Sequence, residues 1–383
     1  MMKVAVLGFG TVGYGVYEML KNAEGLEPGP VLVRPGKEDE PFKVSDISAI
    51  CSDPEVGAVA EVMGGVEPAF SYACAVLKAG KHFVTSNKAL VAAKGAELAA
   101  LAEENNVAFL FSAACGGGVP FLHNMALAVQ SDEILSVGGI LNGTTNYMLD
   151  AMQRRSMSYQ EALADAQKLG YAEADPTADV TGLDALRKIM LACAVAFGKM
   201  PVDGLNNEGI DSFTSQDVDF IKQNGLTARL IVSGEPSKDG KLAAYVEPVL
   251  FEENAPECSV LANFNMAKYN GKNSGRIVLM GQGAGRWPTA SAVLRDLSDI
   301  LCGRKYMMSP SVECVTADNS SAVHRYLISL PEGTEAPFKI EKYERYGDRV
   351  YMFTQPLSVS EMHAAAKKLR SGGMRVFFAA IGE

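Results

Sequence analysis

Basic charge is scarce in this sequence. Lysine and arginine number 35 against 45 acidic residues, a net charge of −10. Binding a nucleic-acid backbone needs a basic face, so that class is excluded. Histidine is rare: His82, His123, His324 and His363 lie far apart, and none is spaced with another His or Cys as metal ligands are. A zinc site is not expected. The seven cysteines, Cys51, Cys74, Cys115, Cys193, Cys258, Cys302 and Cys314, contain no CxxC and no framework spacing. In a chain of this length they read as free thiols of a reducing compartment. No apolar run reaches bilayer length; the stretch from Ile189 to Phe197 is far too short. No targeting segment precedes the first strand, so no membrane association and a cytoplasmic address are expected.

What is present is enough chain, 383 residues, for two or three domains. From Lys3 to about residue 110, strand-like and helix-like segments alternate. Strands are expected at Lys3–Leu7, Pro30–Arg34, Val56–Val62, Lys81–Thr85 and Val107–Phe111. Helices are expected at Thr11–Asn22, Glu67–Ala79 and Asn87–Asn105. That alternation predicts a doubly wound parallel α/β sheet. From about Pro120 the pattern changes. Helices at 147–154, 158–169 and 182–197 are followed by alternating apolar strands near 228–232, 242–246 and 276–280, read as an antiparallel sheet backed by helices. The last seventy or so residues read as strand, strand, helix, strand. The expected domains are 1–125, 126–310 and 311–383, with the helix at 288–303 returning to the first.

Gly8, Phe9, Gly10, Thr11, Val12 and Gly13 spell GxGxxG directly after the first strand. The three glycines serve a tight turn, close approach of a pyrophosphate, and helix–strand contact, and the following helix adds its N-terminal N–H groups. A Rossmann-like dinucleotide site is expected. An NAD-specific site carries an acid about twenty residues later. Here the second strand ends VLVRPGK, and Arg34 and Lys37 suit a 2′-phosphate. NADP(H) is the expected cofactor, with NAD(H) as the lesser one.

The densest charge lies in GYAEADPTADVTGLDALRK, from Gly170 to Lys188, which runs straight into the apolar segment 189–197. Asp184 and Lys188 are four apart and share a helix face. In one reading Thr181 and Asp184 form a capping box and Lys188 is a surface lysine. In the other, Lys188 stands partly desolvated at the edge of a buried helix, its charge offset by nearby carboxylates, as a catalytic group. Lys88 in VTSNKAL likewise has two readings. Asn87 caps a helix and Lys88 is an ordinary first-turn residue, or Lys88 faces the crevice beyond the strand ends where ligands bind.

Together GFGTVG, MGG (63–65), VTSNKAL, GGGVP (116–120), NGTTNY (142–147), the 170–188 stretch and GQGAGRWPTASAV (281–293) resemble homoserine dehydrogenases, in family order over residues 3 to about 310. The resemblance implies NAD(P)-dependent interconversion of L-homoserine and L-aspartate 4-semialdehyde, in threonine, methionine and isoleucine biosynthesis. It implies Lys88 and Lys188 at the reacting oxygen, with Lys188 transferring the proton. Glu173 and Asp184 would hold the substrate ammonium, Asp179 would be a further acid of the site, and Gly170 and Gly283 would line the cofactor. The chemistry agrees: hydride delivery to an aldehyde builds negative charge on oxygen, which ammonium groups stabilise and one can protonate. The oxidative direction needs a neutral Lys188, so its rate should rise with pH. The resemblance also implies a homodimer through the middle sheet.

Two departures from the family pattern stand out. A monovalent cation, Na+ or K+, is implied at the backbone carbonyls of Cys115, Gly117 and Val119. Where the family carries a glutamate, this sequence has Ser112, a poorer partner for a hard cation. Many relatives also end in an ACT regulatory domain opened by an RPGVL-like loop. Residues 311–383 keep a compatible strand and helix order but have LPEGTEAPF there instead, so threonine feedback is not expected. Two rival readings are a semialdehyde dehydrogenase using Cys115 as nucleophile with His123 as base, and an inactive NADP-binding regulator.

Overall fold

The computed structural model describes residues 1–382. The chain begins with β1 (Met2–Leu7), α1 (Thr11–Leu20), β2 (Leu26–Leu32), β3 (Lys43–Val44), α2 (Ile47–Cys51), β4 (Val56–Glu61), α3 (Ala69–Lys78), β5 (His82–Thr85), α4 (Lys88–Glu104), β6 (Phe109–Leu110) and α5 (Phe121–Ala128). The six strands form one sheet in the order β3-β2-β1-β4-β5-β6, and every pairing in it is parallel. Val4, Ala5, Val6 and Leu7 of β1 are all fully buried, as a central parallel strand covered on both faces requires. The second strand starts at Leu26, earlier than the sequence suggests, because Pro28, Gly29 and Pro30 read as breakers. The β1–β2 register shifts between Val4 and Val6, and such an irregularity tolerates proline.

There follow β7 (Ile134–Ile140), α6 (Gly143–Arg155), α7 (Tyr159–Lys168), α8 (Thr177–Val180), α9 (Leu183–Phe197), β8 (Lys199–Asp203), β9 (Asn206–Asn207), α10 (Ser215–Gln223), β10 (Leu226–Pro236), β11 (Leu242–Glu252), β12 (Phe264–Gly271), β13 (Gly275–Gln282), α11 (Arg286–Leu301) and β14 (Glu313–Thr316). The chain ends with β15 (Val323–His324), β16 (Tyr326–Pro331), β17 (Ile340–Tyr346), β18 (Arg349–Thr354), β19 (Leu357–Ser358), α12 (Val359–Ser371) and β20 (Phe377–Ile381).

Two compact units result: residues 1–134, 190–200 and 271–314, and residues 135–189, 201–270 and 315–383. In the first, α11 packs on α1; a Cβ at Gly15 would lie 3.2 Å from that of Ala290. The second is built on a sheet running β12-β7-β10-β11-β20-β16-β18-β17. It is mixed, not purely antiparallel as the sequence suggests, since β9 and β20 both join β11 in parallel. Through that β11–β20 pairing the C-terminal strands join the sheet of the second unit. Their own core, around Tyr326, Ile328, Met362 and Phe378, forms part of the second unit. The edge strand β17, IEKYERY, lacks any apolar alternation and is mostly exposed, which hides it from pattern reading and protects the edge. No helix among the described residues is long and apolar enough to cross a membrane.

Candidate active site

The nucleotide loop follows from glycine geometry. Gly8 has φ +98°, and a Cβ at Gly13 would lie 2.1 Å from the Gly8 carbonyl oxygen, so α1 could not approach the turn with any side chain there. A Cβ at Gly10 would meet nothing within 4 Å. Helix α1 has no side-chain cap and no acid in its first turn, so its N–H groups are available to an anion. These residues fit a dinucleotide pyrophosphate. Phe9 makes edge contacts with Tyr14, Tyr17 and Phe42, and Lys43 Nζ lies 5.0 Å over its ring. Thr11 and Val12 open the helix. Arg34 and Lys37 are exposed just beyond β2, and Arg34 makes no ion pair among the described residues.

The neighbouring loop is organised by a residue the sequence reading missed. Glu61, fully buried at the end of β4, accepts from Met63 N at 2.7 Å and from Thr85 Oγ1 at 2.5 Å. Burial raises its carboxyl pKa, and those donors work the other way. Asn87 donates to the Gly65 carbonyl at 2.6 Å and caps α4 through Leu90 N at 3.1 Å, a cap contributing about 1 kcal/mol. Lys88 is thus the first residue of α4 and half-buried.

Two further glycine loops of this unit meet back to back. Gly118 N donates to Gln282 O at 3.1 Å, and a Cβ at Gly117 would lie 2.4 Å from Gly283 O. Ser112 N donates to Asp296 Oδ2 at 2.8 Å, and Asp296 is fully buried with Oδ1 unpartnered. Burial pushes the Asp296 carboxyl up to about 7. The cation implied at the Cys115, Gly117 and Val119 carbonyls would lie in this loop. Residue 112 itself brings no carboxylate; the buried Asp296 stands on its backbone N–H, and Arg295 reaches the Gly118 carbonyl at 3.5 Å. The thiol reading has no support either: Cys115 is fully buried, and His123 Nδ1 faces Asp299 at 2.9 Å.

In the second unit the charged stretch condenses around Asn142. This residue caps α6 through Thr145 N at 2.8 Å. Its Oδ1 is thereby engaged, so Nδ2 faces two carboxylates, Asp179 Oδ1 at 2.7 Å and Asp184 Oδ2 at 2.9 Å. Lys188 Nζ lies 2.7 Å from Asp184 Oδ2 and donates to Leu141 O at 2.5 Å. Burial raises the Asp179 pKa; the Asn142 bond opposes this and the Asp184 charge adds to it. In the sequence Asn142 stands out only as the first residue of the NGTTNY motif, with no role of its own.

Not every expected residue gathers here. Glu173 is exposed and its carboxylate makes no hydrogen bond among the described residues. Gly170, with φ +76°, ends the turn after α7. Asp175 caps a turn through Thr177 N and Oγ1, which lowers its pKa. Thr181 does not begin α9. Its hydroxyl donates back to Thr177 O at 2.6 Å, ending α8, and Gly182 at φ +82° makes the break. No capping box forms because the chain must turn there in a conformation suited to glycine.

A dinucleotide-binding sheet together with a buried lysine–carboxylate pair defines a nicotinamide-dependent oxidoreductase. The homoserine dehydrogenase family model matches residues 120–298, and the model of that family's NAD-binding domain matches residues 8–112. The homoserine dehydrogenase of Synechocystis is 37% identical over 317 residues, 78% of this chain and 73% of that one. That of Corynebacterium glutamicum is 40% identical, covering 77% of this chain and 70% of its own. Among solved structures, a homoserine dehydrogenase from Thiobacillus denitrificans matches with TM-score 0.87 at 28% identity, over 100% of this chain and 98% of that one. A putative homoserine dehydrogenase from Archaeoglobus fulgidus matches with TM-score 0.69 at 31% identity, over 78% of this chain and 99% of that one. The chain belongs to the homoserine dehydrogenase family, whose reaction is the NAD(P)-dependent interconversion of L-homoserine and L-aspartate 4-semialdehyde.

Proposed function

We propose that Lys188 is the proton-transfer group of this reaction and that the carboxylates beside it receive the substrate's ammonium. The observation that carries the reading is the Asn142–Asp184–Lys188 chain of contacts, which fixes a buried lysine between a carboxylate and the Leu141 carbonyl. Bound NAD(P)H supplies the hydride. In the reductive direction Lys188 Nζ gives a proton to the oxygen that takes up charge; in the oxidative direction the neutral amine removes the hydroxyl proton. Asp184 orients that amine and, with Glu173, neutralises the ammonium of the amino-acid substrate. Asp179 adds a third acid, held toward the cluster by Asn142. Lys88 is the second ammonium that stabilises the alkoxide.

Arg34 and Lys37 give the enzyme its preference for NADP(H), through charge-assisted bonds to a 2′-phosphate. Gly170 and Gly283 lie along the cofactor. A monovalent cation at the 115–119 carbonyls is disfavoured, because Ser112 stands where the family carries a glutamate. The enzyme works in the cytoplasm, as a homodimer; exposed Val278 and Met280 on β13 and Phe264 on β12 are apolar side chains a partner would cover. The test is homoserine-dependent reduction of NADP and of NAD by wild type and by Lys188→Ala. Activity surviving in the variant ends the assignment.

A further inference from the structure

The catalytic turn is held from behind by the C-terminal helix. Glu208, nearly buried after β9, is gripped by Arg370 of α12, with Nη1 to Oε2 at 2.8 Å and Nη2 to Oε1 at 2.5 Å. Arg370 Nη2 also donates to Val376 O at 2.9 Å, which ties the guanidinium to the chain just after α12. Two further buried acids meet basic residues of the C-terminal segment, Asp217 with Arg375 and Glu247 with His363. Only the Glu208 pair adjoins the Thr181–Gly182 turn. Ile210 N donates to Val180 O at 2.8 Å and Asn207 Nδ2 to Thr181 O at 2.7 Å. A Cβ at Gly209 would lie 2.1 Å from Val180 O, and one at Gly182 would lie 2.5 Å from Asn207 Oδ1. Segment 207–210 is therefore wedged against the turn joining α8, which carries Asp179, to α9, which carries Asp184 and Lys188.

We infer that Glu208, clamped by Arg370, is a positioning residue for the reaction, pressing segment 207–210 onto the Val180–Gly182 turn and so fixing where Asp179, Asp184 and Lys188 stand. A bidentate carboxylate–guanidinium pair has the directional rigidity for this task, and a small misplacement of catalytic groups is costly in rate. The inference rests on the reading of Asp184 and Lys188 as substrate-facing groups.

The test compares Glu208→Ala, Arg370→Ala and the double variant in the full-length enzyme. Each single variant should lower kcat/KM for homoserine about tenfold or more, through kcat as well as KM, while KM for NADP stays at the wild-type value. Amide exchange at Ile210 and Leu186 should quicken in both. The double variant should be no worse than the worse single one, because one contact is removed either way. Arg370→Lys, which keeps charge and one donor, should recover part of the loss. Arg370→Ala leaves a buried carboxylate unpaired; Glu208→Gln removes the charge instead and reads out the same kcat/KM loss if that variant does not fold. Wild-type kcat/KM for homoserine, or unchanged exchange at Leu186, even at reduced thermal stability, overturns the inference. So does strict additivity in the double variant. Failure of the site reading is separable: active Lys188→Ala would end that reading, while exchange at Leu186 would still decide whether the clamp holds the turn.

Discussion

Lys188 Nζ stands 2.7 Å from Asp184 Oδ2, one helical turn away on α9, with both side chains close to nine-tenths buried. Buried pairs of this kind are costly to halve, because the surviving charge is left in a largely dry place without its counter-charge. Substituting Asp184 by Ala should therefore destabilise the fold by about 3 kcal/mol, measured by urea unfolding. Asp184→Asn, which keeps an oxygen for Lys188 and for Asn142, should cost clearly less. Equal stability of wild type and Asp184→Ala would show that the pair carries no such strain.

Asp296 gives a pH dependence of stability. Its carboxyl is raised to about 7 from an ordinary 3.8, so the native state holds a proton that the unfolded chain has already released. The resulting stabilisation is fully present below the unfolded value and is lost as pH rises through about 7. Asp296→Asn cannot ionise, so its melting temperature should gain on wild type as pH rises from about 4 to about 8. A difference that does not change with pH contradicts the assignment.

How much of this was readable in advance depended on whether the signal was local. GxGxxG and the apolar β1 declared themselves because glycine geometry and burial on both faces act on adjacent residues. Asp184 and Lys188 share a helix face, so their pairing followed from spacing. Glu61 and Asn142 escaped because their partners are loop N–H groups and residues some forty positions away, which no periodicity encodes. The mixed sheet escaped for the same reason: Val249 and Leu250 of β11 pair with Ala380 and Ile381 of β20. Thr181 misled because a Thr followed three residues later by an acid fits a capping box, whereas Gly182 allows a chain break there.

Arg34 is exposed beyond β2 without an ion pair of its own among the described residues. Arg34→Ala should weaken NADP about tenfold or more, the loss of a charge-assisted contact, and leave NAD nearly unchanged. Titration of both nucleotides by fluorescence checks this. Equal effects on the two would remove Arg34 from 2′-phosphate recognition.

The loop at 115–119 predicts indifference to monovalent cations. kcat/KM for homoserine should agree within about twofold in potassium, sodium and tetramethylammonium salts at one ionic strength. A several-fold activation by potassium or sodium alone would show that the backbone carbonyls suffice to bind the ion despite Ser112 and Arg295.

Proton transfer by Lys188, as proposed, is open to one decisive experiment. The most direct measurement is single-turnover reduction of NADP by homoserine, with wild type and Lys188→Ala, across the pH range from about 7 to 10. The account predicts a wild-type rate that rises with pH as the base loses its proton, and a rate lower by about a thousandfold in the variant with NADP binding intact. A flat wild-type profile, or a variant within a few-fold of wild type, would contradict it.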